Sequence, residues 1–102
     1  EALQDQPSGS FVRVTGLVTT RQRPATSSGV TFVTLEDETG QVNVIVRREV
    51  AQRCYQALVQ ARVMEACGRL QRESGVTHLI AGALWDRSAW LGELDTQVHE
   101  FH

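Results

Sequence analysis

The stretch GVTFVTLEDETGQVNVIVR, residues 29–47, decides the fold. In its first half Val33 and Leu35 fall on one side and Phe32, Thr34 and Glu36 on the other. In its second half Val42, Val44 and Val46 oppose Asn43, Ile45 and Arg47. A period of two carried by β-branched and aromatic residues describes a half-buried strand. Between the halves stands Asp37-Glu38-Thr39-Gly40, a tight turn in which the glycine supplies a positive φ. The stretch therefore predicts a hairpin with one apolar and one polar face.

Working outward, residues 11–20 alternate in the same way, with Val12, Val14, Gly16 and Val18 against Arg13, Thr15, Leu17 and Thr19. RQRPATSSG (21–29) collects turn formers and predicts a loop. After the hairpin the period lengthens: Val50, Cys54, Leu58 and Ala61 form one stripe of a short amphipathic helix over residues 48–61. A strand over 62–73 follows, with Met64, Ala66, Gly68 and Leu70 on one face, then a turn at Ser74-Gly75 and a strand over 76–84. This order predicts an all-β OB-fold: a five-stranded Greek-key β-barrel with one helix between strands three and four. Residues 10–85 make the barrel domain and 1–9 a linker. In the tail, 86–102, Trp90, Leu91 and Leu94 share one stripe of a short C-terminal helix, a candidate surface for a protein partner.

The chain has 102 residues, 41% of them hydrophobic, enough for one core. No apolar run reaches the ~18 residues of a membrane helix, and EALQDQPSGS (1–10) lacks the layout of a secretory signal. A cytoplasmic protein is expected. The start lacks a methionine and resembles the interior of a longer chain, so any catalysis is expected in the parent. Cys54 and Cys67 sit in apolar surroundings and are expected to be reduced packing residues. All ten basic residues are arginine, which suits phosphates and stacking. The net charge is -2, but its distribution is uneven: residues 11–35 hold Arg13, Arg21 and Arg23 and no acid, while 86–102 hold four acids and one arginine.

No nucleophile-base set, glycine-rich phosphate loop or carboxylate pair appears at catalytic spacing, so no cofactor or metal is expected. Glu36 and Asp37 are read as hairpin chemistry, His99 and His102 as a solvated chain end, and His78 as a residue bonded within its strand. The face that OB barrels offer to oligonucleotides comprises strands two and three and adjoining loops. Here it carries Phe32 for base stacking, Arg13, Arg21, Arg23 and Arg47 around it as phosphate partners, and Thr34 and Asn43 for base edges or sugar. The competing expectation has Phe32 under the first loop and the arginines merely solvated.

With GLVTTRQRP (16–24), GVTFVTLEDETG (29–40) and VNVIV (42–46), the chain resembles the C-terminal OB domain of bacterial C-family DNA polymerases, most closely their error-prone branch. GRL (68–70), HL (78–79) and the closing EFH (100–102) extend the likeness over almost the whole chain. The GLVTTRQRP run is specific, whereas FVTLEDETG is shared with many OB domains, including anticodon-binding domains of some tRNA synthetases. The resemblance implies a single-stranded template-binding domain of a translesion, DNA-directed DNA polymerase used in damage-induced mutagenesis and repair. It implies a Y-family-like accessory protein and the sliding clamp as partners, and Arg21, Arg23 and Phe32 as template contacts. Where the error-prone relatives are expected to carry a tryptophan, this chain has Arg47, which suits a phosphate better than a stacked base. The alternative function is a protein-interaction module that docks the polymerase onto those partners; a third, anticodon binding, rests on the shared hairpin alone.

Overall fold

The computed structural model describes residues 9–25, 28–38 and 40–89. Five strands close into a barrel in the order β1-β2-β3-β5-β4: β1 (Phe11–Gln22), β2 (Thr31–Asp37), β3 (Gly40–Val46), β4 (Val63–Glu73) and β5 (Val76–Asp86). All neighbours are antiparallel except β3 and β5. Long β1 serves two partners, since Phe11 to Leu17 pair with β4 and Leu17 to Gln22 pair with β2. The barrel has the expected OB order and thereby leaves no open sheet edge.

The hairpin forms as its alternation requires. Val33, Leu35, Val42, Val44 and Val46 are buried, and Phe32, Glu36 and Asn43 are exposed. Gly40 adopts φ +136°, and its N–H donates to Asp37 Oδ1 at 3.1 Å, which closes the turn. Met64, Ala66, Leu70, Leu79, Ala81 and Leu84 complete the interior. Each fully buried leucine or methionine there contributes ~1.5–3 kcal/mol by leaving water. Cys67 is buried, Cys54 is half-buried, and both are free thiols.

Three expectations are corrected. The helix over 48–61 is two, α1 (Arg48–Arg53) and α2 (Tyr55–Gln60), broken at Cys54 with φ -111° and ψ 35°. Neither start has a side-chain cap, and helices of six residues have little stability of their own. Packing therefore sets their path, with Val50, Ala51, Leu58 and Ala61 laid against the barrel core. The second correction concerns β1, which runs two residues into the expected loop because a bulge at Thr19 renews its pairing: Val18 faces Leu35, but Thr20 faces Thr34. The Thr19 hydroxyl donates to the Thr34 carbonyl at 3.2 Å. Strand β5 also extends past its expected end, to Asp86. Trp90, Leu91 and Leu94 of the tail lie outside the described residues.

A polar latch ends the barrel. Ser88 donates to Asp86 Oδ1 through its N–H at 2.9 Å and its hydroxyl at 2.6 Å, and Ser88 Oγ accepts from Arg62 N at 2.8 Å. Hydrogen bonds from Ser88, assisted by the nearby Arg21 charge, hold the Asp86 carboxyl below its ordinary value. A depressed carboxylate stabilises the fold above its unfolded value, ~3.9, and that contribution is lost as pH falls through the folded value. Asp86→Asn is expected to reduce stability at neutral pH and to flatten its loss in acid. Urea melts at neutral pH and at pH ~3 check this: equal pH dependence in both proteins would contradict it.

Candidate functional site

The outer surface of the sheet is organised in rows that cross the strands. One row joins Thr20, Thr34, Asn43 and His78; the next, two residues along, joins Gln22, Phe32, Ile45 and Ile80. Phe32 is 40% exposed and Ile45 and Ile80 are half-buried, all pointing away from the core. The aromatic ring is thus on the surface rather than inside. The polar row places hydroxyl, amide and imidazole groups beside a row of apolar side chains, a surface suited to flat bases with polar edges.

Charge is graded along this face. Glu36, Asp37 and Glu38 stand at the β2–β3 hairpin, whereas Arg23, Arg47 and Arg48 stand where β1 and β3 leave the sheet and α1 begins, at the Phe32 end. A polyanion is favoured at that end and repelled from the hairpin. Two depressions open near it. One, of about 430 Å³, lies between the end of β1 and the helices and is lined by Arg21, Arg23, Arg48 and Tyr55, with no acid among its lining residues. The other, of about 720 Å³, is lined by Arg47, Arg53, Arg69 and Glu49 along with Phe11 and Ile80.

The four arginines expected around Phe32 do not form one cluster. Arg13 lies nine positions from Gln22 along β1, a chain path of ~30 Å at strand rise, and its Nε pairs with Glu65 Oε2 at 3.0 Å. Buried Glu65 also receives Arg87 Nε at 2.7 Å, and Arg87 lies 5.9 Å from the centre of the Trp85 ring. Arg13 thus belongs to a structural ion-pair cluster on the β1–β4 side. Arg21 is turned by the Thr19 bulge: it pairs with inward-facing Val33, because one extra residue exchanges the two faces of a strand. Its guanidinium donates to the carbonyls of Leu58, at 2.6 Å, and Ala61. There it caps α2, which has no basic residue in its own last turn. Arg23 and Arg47 remain exposed at the Phe32 end, in separate depressions.

Sequence reasoning missed Arg48, Arg69, Phe11 and the placement of His78 beside Asn43. Arg48 stood next to Arg47 and was legible as a doubled charge; the others depend on long-range register. No group of three or more metal-ligating side chains occurs among the described residues, and none of their helices is long and apolar enough to cross a membrane.

Residues 9–86 match the family described as OB-fold nucleic acid binding domain. An error-prone DNA polymerase of Saccharophagus degradans is 47% identical over 95 residues, which is 93% of this chain and 9% of that protein. One from Xanthomonas oryzae pv. oryzae is 52% identical over 100 residues, 98% of this chain and again 9% of the relative. The chain therefore corresponds to a small part of these polymerases. Among solved structures, asparaginyl-tRNA synthetase from Pyrococcus horikoshii, complexed with asparaginyl-adenylate, superposes with a TM-score of 0.66 at 22% identity, over 78% of this chain and 19% of that one. The S. pombe Stn1-ten1 complex gives 0.57 at 13% identity, over 90% and 78%. At such identities the structural likeness is one of fold.

Proposed function

Because the chain belongs to the family of OB-fold nucleic acid binding domains, we propose that it holds single-stranded DNA, as the template-binding domain of an error-prone polymerase acting in translesion synthesis and repair. Polymerase catalysis then resides elsewhere in the parent protein. The observation that carries this reading is the outward row of Phe32 and Ile45 at the arginine-bearing end of the β2–β3 face. A base stacks on Phe32, Thr34 and Asn43 meet base edges or sugar, and Arg23, Arg47 and Arg48 meet phosphates. Arg13 and Arg21 support the fold instead. About 50% identity to proteins named as error-prone DNA polymerases favours DNA and that setting.

Three phosphate contacts to a single strand give a salt slope near -2, so affinity for labelled oligo-dT should fall about 20-fold between about 50 and 200 mM salt. Fluorescence anisotropy measures this directly. Binding that ignores salt, or none at high protein concentration, would refute the proposal.

A second reading, a module docking on the translesion accessory protein or clamp, draws on Tyr55 and Val59, which expose 57% and 42% of their surface on α2. Loss of accessory-protein capture by Tyr55→Ala/Val59→Ser, with oligonucleotide affinity retained, would establish it.

A further inference from the structure

The apolar row does not stop at the β2–β3 face. Phe32 pairs with Ile45, Ile45 with Ile80, Ile80 with Arg69, and Arg69 with Phe11, so one unbroken line of outward residues crosses β2, β3, β5 and β4 and returns to the start of β1. Four strand spacings of ~4.8 Å make this path ~19 Å long. Phe11, at its far end, is 67% exposed, more than Phe32. An aromatic ring in that setting gains little for the core. The path runs along the depression that Arg47, Arg53 and Arg69 line against a single acid, Glu49. Two of these guanidiniums are oriented by the backbone: Arg53 donates to the Gly82 carbonyl, and Arg69 donates to the Gly9 carbonyl at 3.2 Å.

From this continuity we infer that the β5–β4 side carries a second subsite for the same single strand, with Phe11 as a base-stacking platform and Arg47 and Arg69 as its phosphate contacts. The inference rests on the reading that Phe32 holds a base of single-stranded nucleic acid. It adds a direction: the strand crosses the barrel from Phe32 over Ile45 and Ile80 toward Phe11, away from the acidic hairpin. Two aromatic platforms joined by aliphatic side chains, with arginines alongside, fit an alternating chain of bases and phosphates. They do not fit a compact anion, which has no use for the rings.

The test varies oligonucleotide length. Oligo-dT too short to reach both rings, about two nucleotides, should bind wild type and Phe11→Ala/Arg69→Gln equally. Oligo-dT of about twelve nucleotides should bind wild type at least about 5-fold more tightly than the variant, the effect of one stacked base. Circular dichroism monitors folding, and Phe11→Ala alone, which removes a largely solvated ring, replaces the double variant should that unfold. A wild-type preference for the longer strand that survives in the variant, or no preference at all, overturns the second subsite. Failure of both lengths to bind wild type contradicts the Phe32 reading instead.

Discussion

Gly68→Ala is expected to lower the melting temperature by about 15–30 °C, the equivalent of ~4 kcal/mol in a domain of this size. A Cβ at Gly68 would lie 1.9 Å from the Ile80 carbonyl oxygen and 2.9 Å from the Ala81 Cα. Both are backbone atoms of the paired strand, so no rotamer change relieves the contact. The only relief is to part β4 from β5 beside Leu70, Leu79 and Ala81, which are buried in the core. A matched control stands across the same irregularity. Gly82 is the extra residue that β5 carries where the register shifts between Cys67 and Gly68. A Cβ there would meet its nearest atom, the Cys67 carbonyl oxygen, at 3.8 Å, which is ordinary contact. Gly82→Ala should therefore melt within a few degrees of wild type. Differential scanning calorimetry of the pair checks the account, and similar melting temperatures for the two variants would contradict it.

Phe32→Ala is expected to weaken oligo-dT binding by about 5- to 150-fold, the range of one lost base stack. The ring is 40% exposed on the outer face, so its loss should barely move the melting temperature. Arg13→Ala is predicted to show the reverse pattern. It removes one arm of the Glu65 ion pairs, an exposed one, at a cost of ~0.2–1 kcal/mol in stability. Oligonucleotide affinity should stay within about twofold, because the Arg13 charge is already paired with Glu65. Anisotropy titrations and thermal melts on the same samples separate the two effects, and a larger affinity loss for Arg13→Ala than for Phe32→Ala would reverse the assignment of faces.

How much of this was legible in the sequence varied with the distance over which the deciding contacts act. The hairpin was legible because its pairing, its turn and its inside-outside pattern all lie within residues 29–47. The outward position of Phe32 followed from the same alternation. The arginines were less legible, each for its own reason. Arg13 required knowledge that its neighbour strand brings Glu65 to it from fifty-two positions away. Arg21 was read as the first residue of a loop, whereas the bulge at Thr19 carries β1 on through it and turns its side chain to the Leu58 and Ala61 carbonyls. A bulge of this kind leaves no compositional trace when the inserted residue is a threonine among threonines. The helix break at Cys54 was hidden likewise, because the stripe of Val50, Cys54, Leu58 and Ala61 is the same for one helix or two. Phe11 and Arg69 came together only through the register of β1 with β4.

Whether nucleic acid lies across the Phe32 end of the β2–β3 face is tested most directly by amide chemical shifts of the labelled chain during titration with oligo-dT. The structure predicts that the largest changes fall at Gln22, Phe32, Thr34, Asn43 and Ile45, while Arg13, Glu65 and Trp85 stay in place. Changes confined to the Glu65 cluster, or scattered evenly over the barrel, would contradict it.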